Sequence, residues 1–349
     1  MAGREFIHPS KPSPGDRVAV LSPSSGLPGM FPAPFDLGLQ RMRDDFRLEP
    51  VEYPTTRQMG ASLEARAADV HAAFADPDIA AVITSIGGDD EIKLLSHLDR
   101  AVLRDNPKPF FGFSDNTNVL HLLWDIGIVG YHGGAVMVQW GRAGAMHPDT
   151  SESLRRALFT HGDFELSTPA TYTDEDRDWA DPTTLEKEPP AQVASPWSWH
   201  GSESSVDGPA WGGCLEIVDF QLRVGRYLRD VWQYEGSVLF LETSEELPDA
   251  TYVYRVLMTM GERGLLQMFP AILWGRAKAW SFEQPNPPAR KAEYARQQRE
   301  AVLRAVEEYN PDAVVVTDVD IGHTDPQFVM PHGGRVVVDP QQQRITVTY

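Results

Sequence analysis

The sequence predicts an α/β protein with a mainly parallel sheet. Two observations carry this. Short runs rich in Val, Ile, Leu and Phe recur along the chain: RVAVLS (17–22), AAVITSI (80–86), PFFGF (109–113), VLFL (238–241) and AVVV (313–316). Longer stretches with helical spacing separate several of them, and that alternation is the mark of βαβ units.

The elements follow in order. RVAVLS reads as the first strand and runs into the turn-rich PSSGLPG. Helices are expected near 34–46 and over 61–75. The strand at 80–86 closes on Gly87-Gly88. DDEIKLLSHLD then begins a helix whose leading aspartates suit the positive end of the helix dipole. PFFGF is the next strand and 116–126 the next helix. Val119, Leu122, Leu123 and Ile126 recur at i, i+3, i+4 and i+7 and form one apolar face. IVGYHGG after it has strand character.

Between about 165 and 208 the periodicity breaks into an acidic segment rich in Pro, Ser and Thr. Loops of this length are functional or disordered. Trp179, Trp197 and Trp199 argue that part of it packs, since disordered tethers are poor in aromatics. A second block begins with PAWGGCLEIVDFQLRV. It continues as a strand at 236–243, a helix at 250–263, a strand at 269–279, a helix at 290–309 and the strand AVVVTDVDIG. The end, GRVVVDPQQQRITVTY, reads as a hairpin. The expected organisation is a domain over 1–165, a linker or loop over 166–208 and a domain over 209–349. A chain of 349 residues is long for one core, which agrees with two domains.

A formal net charge of −19 argues against nucleic acid as the main partner, because a phosphate backbone needs a basic surface. It argues equally against adhesion to anionic membranes. The single cysteine, Cys214, permits neither an intrachain disulfide nor a thiol-rich zinc site. MAGREFIHPSKPSPGD lacks the apolar core of a secretion signal, so a cytoplasmic protein is expected. There is no G-x-G-x-x-G, no phosphate loop and no H-E-x-x-H, so no cofactor and no metal are expected.

Three reactive residues share one setting, just past the end of an apolar strand, which is where open α/β sheets place their sites. FFGF stops at Ser114, VLFL at Glu242 and AVVVTDVDIG at His323. Serine, acid, histidine is one of the known chain orders of a hydrolytic triad. A serine hydroxyl needs a base to take its proton and N–H donors for the oxyanion that forms. The turn into a helix supplies such donors. The pattern G-x-S-x-N misses the second glycine of the usual nucleophile turn, and local sequence alone favours Ser114 or Asp115 as a helix cap. His132 and His332 are the second and third choices as base. Glu245 and Glu246 read as a solvated pair beside Glu242. Gly87-Gly88 lets backbone approach a ligand closely, or is a plain turn.

Taken together, SIGGDD (85–90), GFSDNT (112–117), AWGGCLEIV (210–218), LFLETSEE (239–246) and DIGHTDPQFVMPHG (320–333) resemble the LD-carboxypeptidases and the related microcin C self-immunity peptidases. Order and spacing agree over nearly the whole chain. The resemblance implies a Rossmann-like N-terminal domain and a smaller, strand-rich C-terminal domain. It implies a serine peptidase with Ser114 as nucleophile, His323 as base and Glu242 as its partner. The backbone N–H groups of Gly88 and Asp115 would form the oxyanion hole, with Gly87 beside them. It further implies a cytoplasmic homodimer needing no metal.

Two features qualify the resemblance. The family carries Asn where Cys214 stands. The G-H-T-D-P turn looks closer to the microcin-immunity branch, which sets an aromatic residue against a nucleotide base; Trp197 or Trp199 would either do this or pin the loop. The substrate implied is a small peptidyl- or aminoacyl-nucleotide amide. The alternative within the class is a murein tetrapeptide losing its terminal D-amino acid. The alternative outside it is a non-catalytic binding or immunity protein on the same fold.

Overall fold

The computed structural model describes residues 5–349. Two compact units emerge: residues up to His161 with Arg177–Pro189, and Gly162–Asp176 with Pro190–Tyr349.

In the first unit β1 (Arg17–Leu21), α1 (Pro32–Asp44), β2 (Glu49–Glu52), α2 (Leu63–Ala75), β3 (Ile79–Thr84), α3 (Arg100–Asp105), β4 (Phe110–Gly112), α4 (Thr117–Ile126), β5 (Gly130–His132) and α5 (Pro148–Phe159) follow one another. The strand order is β2-β1-β3-β4-β5, and every neighbouring pair is parallel. The inner strands are covered on both faces. That is why they read as unbroken apolar runs, with Val18, Val20, Val82, Ile83 and Phe111 fully buried.

β2 escaped the sequence reading because EPVE is a half-exposed edge strand with a proline in it. Residues 91–97 form a 3-10 helix rather than the expected α-helix. α4 is buried nearly all round: Asn118, His121 and Asp125 are as covered as the apolar face that the spacing identified.

The second unit contains β6 (Asp163–Leu166), β7 (Thr171–Tyr172), β8 (Gln192–Val193), β9 (Ser198–Gly201), β10 (Val206–Cys214), α6 (Leu215–Val224), β11 (Val238–Glu242), α7 (Ala250–Glu262), β12 (Ala271–Gly275), α8 (Pro288–Tyr309), β13 (Val314–Val319), β14 (Met330–His332), β15 (Arg335–Asp339) and β16 (Arg344–Thr348). Its sheet runs β14-β10-β11-β12-β13-β9, parallel except for the antiparallel edge β9. The first half of β10 pairs instead with the β15–β16 hairpin, and β6 closes that antiparallel extension.

The stretch 166–208 is therefore structured rather than a bare linker. β7 pairs β8, and β9 adds a strand to the main sheet. In the first unit's share, Glu188 accepts from the Ala145 N–H at 2.7 Å and pairs with Arg142. Trp179 lies 6.1 Å from Phe31. These strands are two to four residues long and polar, so no periodicity announced them. Among the described residues no helix is long and apolar enough to cross a membrane.

The β10–β11 joint sets the tightest backbone demand. Gly212 sits at φ +144°, and a Cβ there would lie 1.7 Å from the Phe240 carbonyl oxygen. Gly225, at φ +62°, has open space around it. Gly212→Ala is expected to cost about 3 kcal/mol, against about 1 kcal/mol for Gly225→Ala, read as shifts of the urea midpoint.

Candidate active site

Each unit carries part of the predicted chemistry at its strand ends. In the first, Ser114 follows β4 directly and holds φ +60°. A non-glycine residue in this region costs about 1–2 kcal/mol, so the surroundings must hold it there. Ser114 is partly accessible within an otherwise buried run. It starts a 3-10 turn that leads into α4, and no side-chain cap bond closes either element. The capping explanation for this serine therefore falls away. Gly87 faces it: a Cβ on Gly87 would come 2.9 Å from Ser114 Oγ and 3.4 Å from the Asp115 nitrogen. Only glycine leaves room for hydroxyl and N–H together. Gly112 is required for a similar reason, since a Cβ there would meet Thr84 Oγ1 at 2.8 Å.

The Asp115 N–H lies in the first turn of a helix, where intrahelical acceptors are lacking. The sequence pointed to that N–H; the carboxylate also has work that it did not reveal. Asp115 Oδ2 accepts from Ser24 Oγ at 2.5 Å, from the Asp90 N–H at 3.0 Å and from the Glu91 N–H at 2.9 Å. Oδ1 accepts from Asn118 at 2.9 Å. One buried side chain thus ties the loop after β1, the loop after β3 and the start of α4 around Ser114. Burial raises the Asp115 pKa, while these donors oppose the shift. Arg66 reinforces the frame, pairing with Asp90 at 2.8 Å and donating to the Pro23 carbonyl at 3.0 Å. Gly88 is exposed beside it, and a Cβ there would strike Ser24 Oγ at 2.3 Å.

In the second unit Glu242 ends β11 and is fully buried. Its Oε2 lies 2.6 Å from His323 Nδ1. Two glycines make the slot: a Cβ on Gly275 would lie 2.5 Å from Glu242 Cβ, and one on Gly322 would lie 2.6 Å from Glu242 Oε2. Burial alone would lower the His323 pKa. The charge of Glu242 and its hydrogen bond outweigh that, helped by Glu245 and Glu216, and raise it to about 9. The carboxylate at Nδ1 orients the ring and sets Nε2 on its opposite edge.

Glu216, which the sequence reading passed over, is a second buried carboxyl behind this pair. It accepts from the Ser244 N–H at 2.9 Å and from Ser244 Oγ at 2.7 Å. Cys214 Sγ lies 3.3 Å from its other oxygen. Burial and the charges of Glu216 and Glu242 push the Cys214 thiol well above its usual pKa, so it is no thiolate nucleophile.

The remaining candidates fall elsewhere. His132 is buried in β5, edge-on to Phe113, and His332 is buried in β14 with the Gly212 N–H 3.4 Å from its Nε2. Trp197 is buried, donates its indole N–H to Asp320 at 2.9 Å and stands edge-on to Phe328. Trp199 is half-buried in β9. Glu245 is exposed as expected, yet its Oε2 is 3.5 Å from His323 Nε2.

Comparisons with known proteins identify the family. Residues 18–133 match the LD-carboxypeptidase N-terminal domain and residues 207–338 the LD-carboxypeptidase C-terminal domain, well over half of the chain together. A putative carboxypeptidase of Vibrio cholerae is 23% identical over 332 residues, covering 93% of this chain and 92% of that protein. The microcin C7 self-immunity protein of Escherichia coli is 24% identical over 297 residues, covering 82% and 79%. Among solved structures, an MccF-like protein from Streptococcus pneumoniae in complex with AMP has a TM-score of 0.83 at 25% identity, covering 96% of this chain and 99% of that one. The microcin C7 self-immunity protein with aspartyl sulfamoyl adenosine has a TM-score of 0.83 at 20% identity, covering 98% of each chain, a likeness of fold.

The pairing of His323 with Glu242 has a titration signature. In NMR, His323 is expected to titrate at about 9, and Glu242→Gln to lower it, because burial then acts against less opposing charge. The folded-state pKa lies above the unfolded one. The stabilisation is therefore complete below pH 6.5 and lost as pH rises through 9. The stability difference between wild type and Glu242→Gln should shrink across that window, read by urea denaturation.

Proposed function

From the premise that the chain belongs to the LD-carboxypeptidase family, we propose that it hydrolyses a small amide with Ser114, His323 and Glu242. The observation that carries this is the buried contact of Glu242 with His323 Nδ1 at 2.6 Å. It supports an imidazole oriented with Nε2 as the working nitrogen. Ser114 Oγ attacks the carbonyl carbon and His323 Nε2 takes its proton. The N–H groups of Gly88 and Asp115 receive the oxyanion. Collapse expels the amine, which takes the proton back from His323, and water then clears the acyl-enzyme by the same route. Glu242 stabilises the imidazolium formed in between.

The preferred substrate is an aminoacyl- or peptidyl-nucleotide amide. The complexes of the relatives with AMP and with aspartyl sulfamoyl adenosine support the nucleotide part. Of the two tryptophans, Trp199 is the candidate to stack on a base, because it is half-buried while Trp197 is buried with its N–H committed to Asp320.

Purified protein and its Ser114→Ala variant, assayed on an aminoacyl sulfamoyl or phosphoramidate nucleotide and on a murein tetrapeptide, test the reading. Ser114→Ala is expected to lower kcat by about 10³-fold or more with substrate binding retained. Equal turnover by the two proteins removes the triad, and tight binding without turnover by wild type makes the protein a binder. With the base near 9, kcat/KM should climb with pH up to about 9.

A further inference from the structure

We propose that Glu216 is a positioning residue for the reaction: from the first turn of α6 it clamps the turn that follows Glu242, and so holds that carboxylate on His323. The inference rests on the serine-peptidase reading and adds to it a residue outside the triad.

The need for a clamp comes from the backbone, and the geometry lies wholly within the second unit. The pairing of β11 with its neighbours stops at Glu242. The chain then turns through 243–247 before α7 begins. That turn closes on Leu247 at φ +52°, a conformation that a residue with a side chain disfavours. Glu242 is thus the last residue the sheet holds, and the carboxylate that must meet His323 Nδ1 stands at the edge of a segment without strand partners.

Glu216 supplies what the sheet does not. Its side chain is buried. Oε1 accepts two hydrogen bonds from Ser244, from the N–H at 2.9 Å and from Oγ at 2.7 Å. Ser244 Oγ in turn accepts from the Glu246 N–H at 3.2 Å. One carboxylate oxygen therefore fixes both the backbone and the side chain of the residue two places after Glu242, and through it the next bend. The other oxygen accepts from Cys214 Sγ at 3.3 Å. Cys214 is the partner of Glu242 in the β10–β11 register. Glu216 reaches Glu242 by two routes, along the chain through Ser244 and across the sheet through Cys214.

An acid suits this place. The first turn of α6 presents the positive end of the helix dipole. An ionised carboxylate also accepts stronger hydrogen bonds than a neutral oxygen. Among the described residues Glu216 forms no ion pair with a cation, so its bonds serve the turn. Being buried, it acts through Glu242 and not on a reactant.

The test compares Glu216→Ala, Glu216→Gln and Ser244→Ala in the full chain. Alanine at 216 removes the clamp, glutamine keeps an oxygen for both Ser244 bonds, and Ser244→Ala removes one of the two donors. On an aminoacyl sulfamoyl nucleotide, Glu216→Ala should lower kcat about 10- to 100-fold with KM unchanged. Glu216→Gln should recover most of that loss, and Ser244→Ala should fall between. The double variant Glu216→Ala/Ser244→Ala should lose little more than Glu216→Ala alone, because the two side chains act as one unit. In NMR, the far-downfield proton between Glu242 and His323 should persist in Glu216→Gln and shift or vanish in Glu216→Ala, with the fold retained by circular dichroism.

A wild-type kcat in Glu216→Ala overturns the proposal, as does a loss in Glu216→Gln as deep as in Glu216→Ala. Additive losses in the double variant, or a proton resonance unmoved in Glu216→Ala, overturn it too. Should Glu216→Ala not fold, Ser244→Ala decides: wild-type kcat there with an unmoved resonance overturns the clamp. The resonance needs no turnover. If wild type hydrolyses no substrate, or Ser114→Ala keeps wild-type turnover, the serine-peptidase reading falls, while the clamp is still read from the resonance in the Glu216 variants.

Discussion

The second unit is built around a carboxylate held dry against an imidazole. Glu242 is fully buried, and its Oε2 lies 2.6 Å from His323 Nδ1. Removing either partner leaves the other buried and uncompensated, which costs more than the pair contributes. The fold serves this contact. Parallel strands β11, β12 and β13 end side by side. The residues that cross the slot at those ends, Gly275 and Gly322, have no side chain to obstruct Glu242. A Cβ at either position would push the carboxylate off the ring. The close packing of the sheet, including the bare Gly212 backbone against Phe240, thus sets the geometry of one hydrogen bond.

The first unit solves a related problem with a different device. Ser114 is held at a positive φ, and something must outweigh the strain. Asp115 does so by gathering four hydrogen bonds from three separate segments. Its carboxylate faces inward to Ser24, Asp90, Glu91 and Asn118, while its N–H lies beside Gly87 and the serine. One residue therefore anchors the turn through its side chain and offers a donor through its backbone. Here a local strain and a buried acid are two parts of one construction.

Much of this was legible in the chain. Buried parallel strands announce themselves as apolar runs, so β1, β3, β4, β11, β12 and β13 could be read directly, and with them the reactive residues at their ends. What stayed hidden was of two kinds. β2, β7, β8 and β9 are short, polar edge or paired segments whose residues follow no period, and their pairing is decided by neighbours far away in sequence. The supporting polar residues were hidden because a carboxylate in a sequence gives no sign of its solvation. Glu216 and Asp115 lie buried, Glu245 lies exposed, and nothing local distinguishes them. Glu216 had one usable signal, its place immediately after GGCL in a motif already singled out.

The crowding of acids around one imidazole carries a consequence for how the base works. Each carboxylate stabilises the imidazolium, and together they raise its pKa to about 9 against the pull of burial. At pH 7 only about one ring in a hundred would then be neutral and able to accept a proton. A stronger base is a better acceptor once free, but a rarer one. In the proposed mechanism the same charges would stabilise the imidazolium after the serine proton has moved, when catalysis needs them. The availability of the base and the stability of its imidazolium are therefore one electrostatic quantity in that mechanism, set by Glu242, Glu245 and Glu216 together.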